Sequence, residues 1–169
     1  MDATALRAMQ APLKERYKGD PKSAFITLKA KGTLDDAHIA CKVETGRALA
    51  VAGLHPATGG SGLELCSGDM LLEALVACAG VTLKAVATAL DVPLKSGKVS
   101  AEGDLDFRGT LGVAKDAPVG FATIRLRFDV ETDAPQDKLE ALLKLTERYC
   151  VVYQTLRSGP AIEVKLNRA

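Results

Sequence analysis

The chain has 169 residues, 47% hydrophobic and 25% charged, with a formal net charge of +1. That length is enough to bury a sizeable core in one domain, expected over residues 1–169 with 1–22 as an N-terminal helical extension. The near-zero charge argues against nucleic acid or an anionic membrane as the main partner, and 4% aromatics without Trp argue against base-stacking platforms.

The opening stretch holds Asp2, Glu15 and no continuous apolar run, so it does not read as a signal peptide. A helix is predicted over about Thr4–Tyr17, interrupted near Pro12 and ending at the turn signal KGDP. Strand-like runs follow in AFITLKAKG, HIACKVE and RALAVAG, each bounded by turn residues. The Gly-rich stretch LHPATGGSGLELCSG is too irregular for an element and long enough to be functional.

From Asp69 to Leu90 the pattern is a long helix, with Ser67 as its early cap and Asp91–Pro93 as its stop. Two strands are predicted over about Lys98–Gly109 and Gly120–Thr132. In the second, Ile124, Leu126, Phe128 and Val130 share one face, while Arg125, Arg127 and Asp129 share the other. Helices are predicted over Pro135–Tyr149 and Val151–Arg157, then a last strand in AIEVKLN. Segregated blocks of strands and helices argue an α+β fold rather than a doubly wound sheet.

The longest apolar run, Met70–Leu83, is interrupted by Glu73 and falls short of the roughly 20 residues of a membrane span. A cytoplasmic location is therefore expected, where a disulfide is more often transient and catalytic or redox-sensing than structural. A helix apolar on nearly all faces calls for burial on nearly all faces, by sheet or by a second subunit. Glu73 then needs a cation such as Arg47 or Arg148, unless its strip is exposed.

Two cysteines stand in distinctive contexts. Cys78 lies inside LLEALVACAGVT with Leu71, Ala74, Leu75, Thr82 and Ala85 around it, where a cysteine also serves as a small core residue. Cys150 lies in ERYCVVYQTL at a helix start, where unpaired N–H groups favour a thiolate; a buried junction residue is the alternative.

Taken with GLHPATGGSG and the order of elements from about Ala24 to Leu166, these two strings resemble the OsmC/Ohr family. The resemblance implies antiparallel sheets wrapped around a buried central helix in an intertwined α+β homodimer. It implies a thiol-dependent peroxidase acting on organic hydroperoxides, with Cys78 as the peroxidatic thiol and Cys150 as the resolving one. A small-molecule peroxide and an external dithiol reductant are then the partners, with no cofactor, metal, nucleic acid or membrane implied.

Two positions depart from the family pattern. Val151 replaces the proline after the second cysteine, and Gly68 stands where active members carry a glutamate that holds a thiol-activating arginine. Asp69, one step later, and Arg47 are the substitutes taken for that glutamate and arginine. A non-enzymatic OsmC-like dimer that binds a small apolar ligand or partner is the alternative reading, favoured by Gly68 and Val151.

Other motifs point elsewhere or nowhere. Cys41 reads as packing, and His38 would face the opposite side of its strand. Cys66 is close enough to the central helix for a redox role but reads first as structural. His55 orders its loop, lines an entrance, or is simply solvated. Four Cys and two His at these spacings make no zinc pattern, and the Gly-rich loop lacks the Lys-Ser/Thr of a phosphate loop.

Overall fold

A computed structural model describes residues 2–19, 31–34, 40–44, 49–112 and 114–168. The first helix, α1, is Ala3–Gly19 and runs through Pro12 without the expected interruption. Proline removes only one helical hydrogen bond, so a kink need not end the helix. Of AFITLKAKG only Lys31 and Gly32 fall among the described residues, as the start of β1 (Lys31–Leu34). HIACKVE and RALAVAG supply β2 (Ala40–Glu44) and β3 (Leu49–Gly53).

These strands pair antiparallel in sequence order, with Leu34 opposite Cys41 and Val43 opposite Ala50. A short β4 (Leu65–Cys66) joins β3 in parallel and delivers the chain into the central helix.

That helix, α2, is Ser67–Ala89. Its cap is Cys66 rather than Ser67, with no side-chain hydrogen bond to the first turn. Its end is a Schellman motif: the N–H of Val92 reaches the Ala87 carbonyl at 2.8 Å and that of Asp91 the Thr88 carbonyl at 3.3 Å. Asp91 takes the left-handed position usually given to glycine, with φ 54°. Val92 then turns back into the core beside Leu83, Val86, Ala87 and Leu142.

The second sheet pairs β5 (Ser96–Leu105) with β6 (Phe121–Glu131), Val99 opposite Phe128 and Ala101 opposite Leu126. The expected extension to Gly109 stops at Leu105. Asp106 there accepts the Arg108 N–H at 3.0 Å and starts a single-turn helix, α3 (Phe107–Thr110). Along β6, Ile124, Leu126, Phe128 and Val130 are half-buried and the residues between them exposed. The wet face carries ion pairs from Arg125 to Glu102 and Asp104.

The chain ends in α4 (Gln136–Tyr149), α5 (Val151–Ser158) and an extended segment. AIEVKLN forms no strand in this single chain. Gly159 and Pro160 turn it away, and Ile162, Val164 and Leu166 are 83%, 87% and 98% exposed. A strand needs a neighbour, and this one finds none among the described residues of its own chain.

Within the single chain, α2 is covered on one side only. Its Leu75, Ala79, Leu83, Val86 and Ala87 side is buried against β5 and the two last helices. Leu71, Ala74, Ala77 and Val81 are exposed, Val81 to 73%. Glu73 is exposed as well, so it needs no buried cation. Over 18 residues its mean hydropathy is 1.8, apolar enough for a membrane span by length and composition, contrary to the expectation from Met70–Leu83 alone. The packed stripe is that of a core helix.

Candidate functional site

Rotating 100° per residue places Cys78 at the border between the buried and bare stripes of α2, beside Leu71 and Leu75. The start of α5 meets it there. Cys150 is at once the C-cap of α4 and the N-cap of α5, in extended conformation with φ −74° and ψ 108°. One extended residue between two helices lets the chain turn without a loop. It ties both ends, since its N–H donates to the Thr146 carbonyl and its carbonyl accepts from Gln154, each at 3.0 Å. Cys150 itself is 1% exposed.

The side chains of Cys78 and Cys150 come together here, so a separation of 72 positions in the sequence closes into one neighbourhood. Burial pushes the Cys78 thiol up. The Val152 N–H, the Cys150 thiol, the Val151 N–H and the Thr82 hydroxyl outweigh it, leaving Cys78 below its ordinary 9.0. All but Thr82 belong to the opening turn of α5, whose first N–H groups have no helical partner and whose dipole favours an anion. A thiol is a weak acceptor, so the Cys150 cap leaves them available.

Cys150 moves the other way. Burial raises it, and donating its proton to Cys78 beside that sulfur's negative charge raises it further, against the N–H groups of Tyr153 and Val152. Of the pair, Cys78 is the thiol that ionises more readily and Cys150 the one that keeps its proton longer.

Val151 changes meaning in this arrangement. As a departure from the family's proline it counted against activity, yet its N–H, which proline lacks, is one of the donors to Cys78. Thr82, one turn beyond Cys78, has its hydroxyl 2.8 Å from the Cys78 carbonyl and close to the sulfur. Sequence reading singled out neither role; the i, i+4 spacing of Cys78 and Thr82 was the available signal.

The other candidates fall elsewhere. Arg47 and His38 lie outside the described residues, as does the side chain of Cys41 on β2. Asp69 is exposed in the first turn of α2, nine residues and about 14 Å of helix from Cys78. It lines a separate cavity of about 360 Å³ with His55, Cys66, Asp104, Phe107 and Phe121. Cys66 is a free thiol twelve residues, or about 18 Å of helix, before Cys78, too far for a disulfide with it. His55 stacks on Phe107 with ring centroids 4.9 Å apart, and its Nδ1 accepts the Ala57 N–H at 3.0 Å. It orders the loop. Among the described residues, no three His, Cys, Asp or Glu gather as a metal site would require.

A cavity of about 730 Å³ lies between β6 and the last two helices, lined by apolar side chains and by the charged Glu147 and Arg157. Leu75, Ile124, Leu126, Phe128, Tyr153 and Leu156 are among its walls. Leu75 is one helical turn before Cys78, and Tyr153 is three residues after Cys150.

A comparison with curated proteins finds no match. Solved structures match in fold. An OsmC-like protein from Mycoplasma pneumoniae is 13% identical with TM-score 0.66, covering 79% of this chain and 89% of its own. An organic hydroperoxide resistance protein OsmC from Legionella pneumophila is 18% identical with TM-score 0.61, covering 80% and 92%. An organic hydroperoxide resistance protein from Elizabethkingia anophelis is 14% identical with TM-score 0.62, covering 80% and 91%. The family model for OsmC-like protein matches residues 59–165, which include both cysteines and more than half of the sequence. The chain belongs to the OsmC-like protein family.

Proposed function

We propose that the protein is a thiol-dependent peroxidase that reduces organic hydroperoxides, with Cys78 attacking and Cys150 resolving. The observation that carries this reading is the placement of Cys78 at the opening turn of α5, beside the buried Cys150 thiol. Thiolate character gives the nucleophile. A second thiol in contact traps the sulfenic acid as a disulfide before further oxidation. The apolar wall that Leu75, Ile124, Leu126 and Phe128 give this cavity supports a hydrocarbon-bearing hydroperoxide over hydrogen peroxide. An external dithiol then restores both thiols by exchange.

The working unit in this proposal is a homodimer. The bare face of α2 at Leu71, Ala74, Ala77 and Val81 supports it, as does the unpaired alternation of Ile162, Val164 and Leu166. The second reading, a non-enzymatic dimer that binds a small apolar ligand, draws on the same cavity. Turnover decides between them. Purified protein with a dithiol should consume cumene hydroperoxide faster than hydrogen peroxide. No consumption of either, together with saturable binding of an apolar ligand, would favour the second reading.

A further inference from the structure

We propose that Thr82 orients the substrate: its hydroxyl oxygen accepts the O–H of a hydroperoxide and turns the terminal oxygen toward the Cys78 sulfur. The proposal rests on the peroxidase reading and adds a residue to it. Thr82 stands one turn after Cys78 on α2, with its hydroxyl 2.8 Å from the Cys78 carbonyl. A carbonyl oxygen only accepts, so the hydroxyl is the donor in that bond. With its proton held there, the hydroxyl oxygen keeps its lone pairs for a second partner. Thr88 and Thr146 make the same bond to Lys84 and Leu142, so the bond itself is ordinary helix geometry. Thr82 differs in what it holds. The carbonyl belongs to the nucleophile, the hydroxyl is close to the Cys78 sulfur, and both side chains are half-buried beside the exposed Ala77 and Val81.

A hydroperoxide carries one donor, the O–H of its terminal oxygen. Around Cys78 that O–H meets the N–H groups of Val151 and Val152, which only donate, and the apolar Leu71 and Leu75. Left without an acceptor, it would lose the hydrogen bond it makes in water. The Thr82 oxygen supplies one. In the reaction a lone pair of the Cys78 thiolate forms the S–O bond to the terminal oxygen, and the O–O bond breaks with its electron pair on the alkoxide. The alkoxide takes a proton from solvent and leaves as the alcohol. Sulfur is oxidised by two electrons to the sulfenic acid, and the hydroperoxide is reduced. The terminal oxygen keeps its hydrogen throughout, so the bond to Thr82 persists from hydroperoxide to sulfenic acid.

The test must separate this role from any effect on the thiol itself. Iodoacetamide serves as the control, because it reacts with the same Cys78 sulfur and has no O–H at its reacting carbon. Single-turnover rates of Cys78 with cumene hydroperoxide and with iodoacetamide are measured in wild type, Thr82→Val and Thr82→Ser, alkylation being read from the mass of the Cys78 peptide. Valine keeps the shape of threonine, and the Cys78 carbonyl keeps its N–H partner in the helix, so α2 should persist. A change in thiol ionisation moves both rates together. In Thr82→Val the hydroperoxide rate should fall about tenfold further than the alkylation rate, the size of one hydrogen bond lost in the transition state. Thr82→Ser, which keeps the hydroxyl, should recover most of that difference. Equal changes in both reactions, or none in either, would overturn the proposal, because Thr82 would then act on the thiol alone or not at all. A serine variant no better than valine would overturn it too, since the methyl group would then be what matters. A wild-type protein that is alkylated at Cys78 but inert to hydroperoxide would overturn the peroxidase reading and the role of Thr82 with it.

Discussion

The Cys150 thiol, at the single extended residue between α4 and α5, sits against Cys78 in the middle of α2. The two sulfurs are shifted in opposite directions: Cys78 below 9.0, where the Val152 N–H and the other donors outweigh burial, and Cys150 above it, chiefly through burial.

The pH dependence follows from those directions. Cys78 is depressed in the fold, so its contribution to stability is present above the unfolded pKa and lost as pH falls through the folded one. Cys150 is raised, so its contribution is present below the unfolded pKa and lost as pH rises through the folded one. The two oppose each other in a stability curve, and alkylation reads them better. The midpoint for iodoacetamide reaction at Cys78 should lie below 9.0 and rise in Cys150→Ala. A wild-type midpoint at or above 9.0 would remove the activated thiolate.

Val151→Pro tests the opening turn of α5. Proline suits a first helical position, so the helix should persist. The N–H donated to Cys78 disappears, and the alkylation midpoint should move up. An unchanged midpoint would leave Val152 and Cys150 as the sufficient donors.

Loss of the peroxidatic and resolving thiols should differ in kind. After one equivalent of cumene hydroperoxide, Cys150→Ser should gain one oxygen on Cys78, and Cys78→Ser should gain none. A serine hydroxyl stays un-ionised near neutral pH and cannot replace the thiolate. Oxygen on Cys150 in the Cys78→Ser protein, at the wild-type rate, would reverse the roles.

The bare face of α2 predicts the assembly. Wild type should sediment as a dimer at micromolar concentration, and Val81→Glu should shift it to monomer. Val81 is 73% exposed within one chain, so the charge costs little there and becomes expensive only under a partner. A wild-type monomer would contradict the dimer.

Much of this was legible in the sequence, for physical reasons that differ by element. The period-2 pattern of Ile124–Val130 and the apolar run of α2 fixed their types, because burial on one face or stripe leaves a repeating mark. Cys78 and Cys150 stood out through their helical contexts, but what brings them together is tertiary packing, which no local pattern records. The N–H groups of Val151 and Val152 are backbone, and a residue type does not announce them; Val151 could be read only as a missing proline. AIEVKLN has the alternation of a strand and no partner among the described residues, a case where pairing, not propensity, decides. The stop of α2 was visible in DVP, whereas Asp91 in the left-handed position was not, since glycine is the usual occupant.

The central claim is that Cys78 and Cys150 form one redox pair, and a single oxidation tests it most directly. Reduced protein is mixed with one equivalent of cumene hydroperoxide, remaining thiols are alkylated, and peptides are mapped by mass spectrometry without reduction. The account predicts one disulfide, Cys78–Cys150, with Cys66 alkylated. A disulfide that includes Cys66, or full alkylation of both Cys78 and Cys150 after exposure to the hydroperoxide, would contradict it.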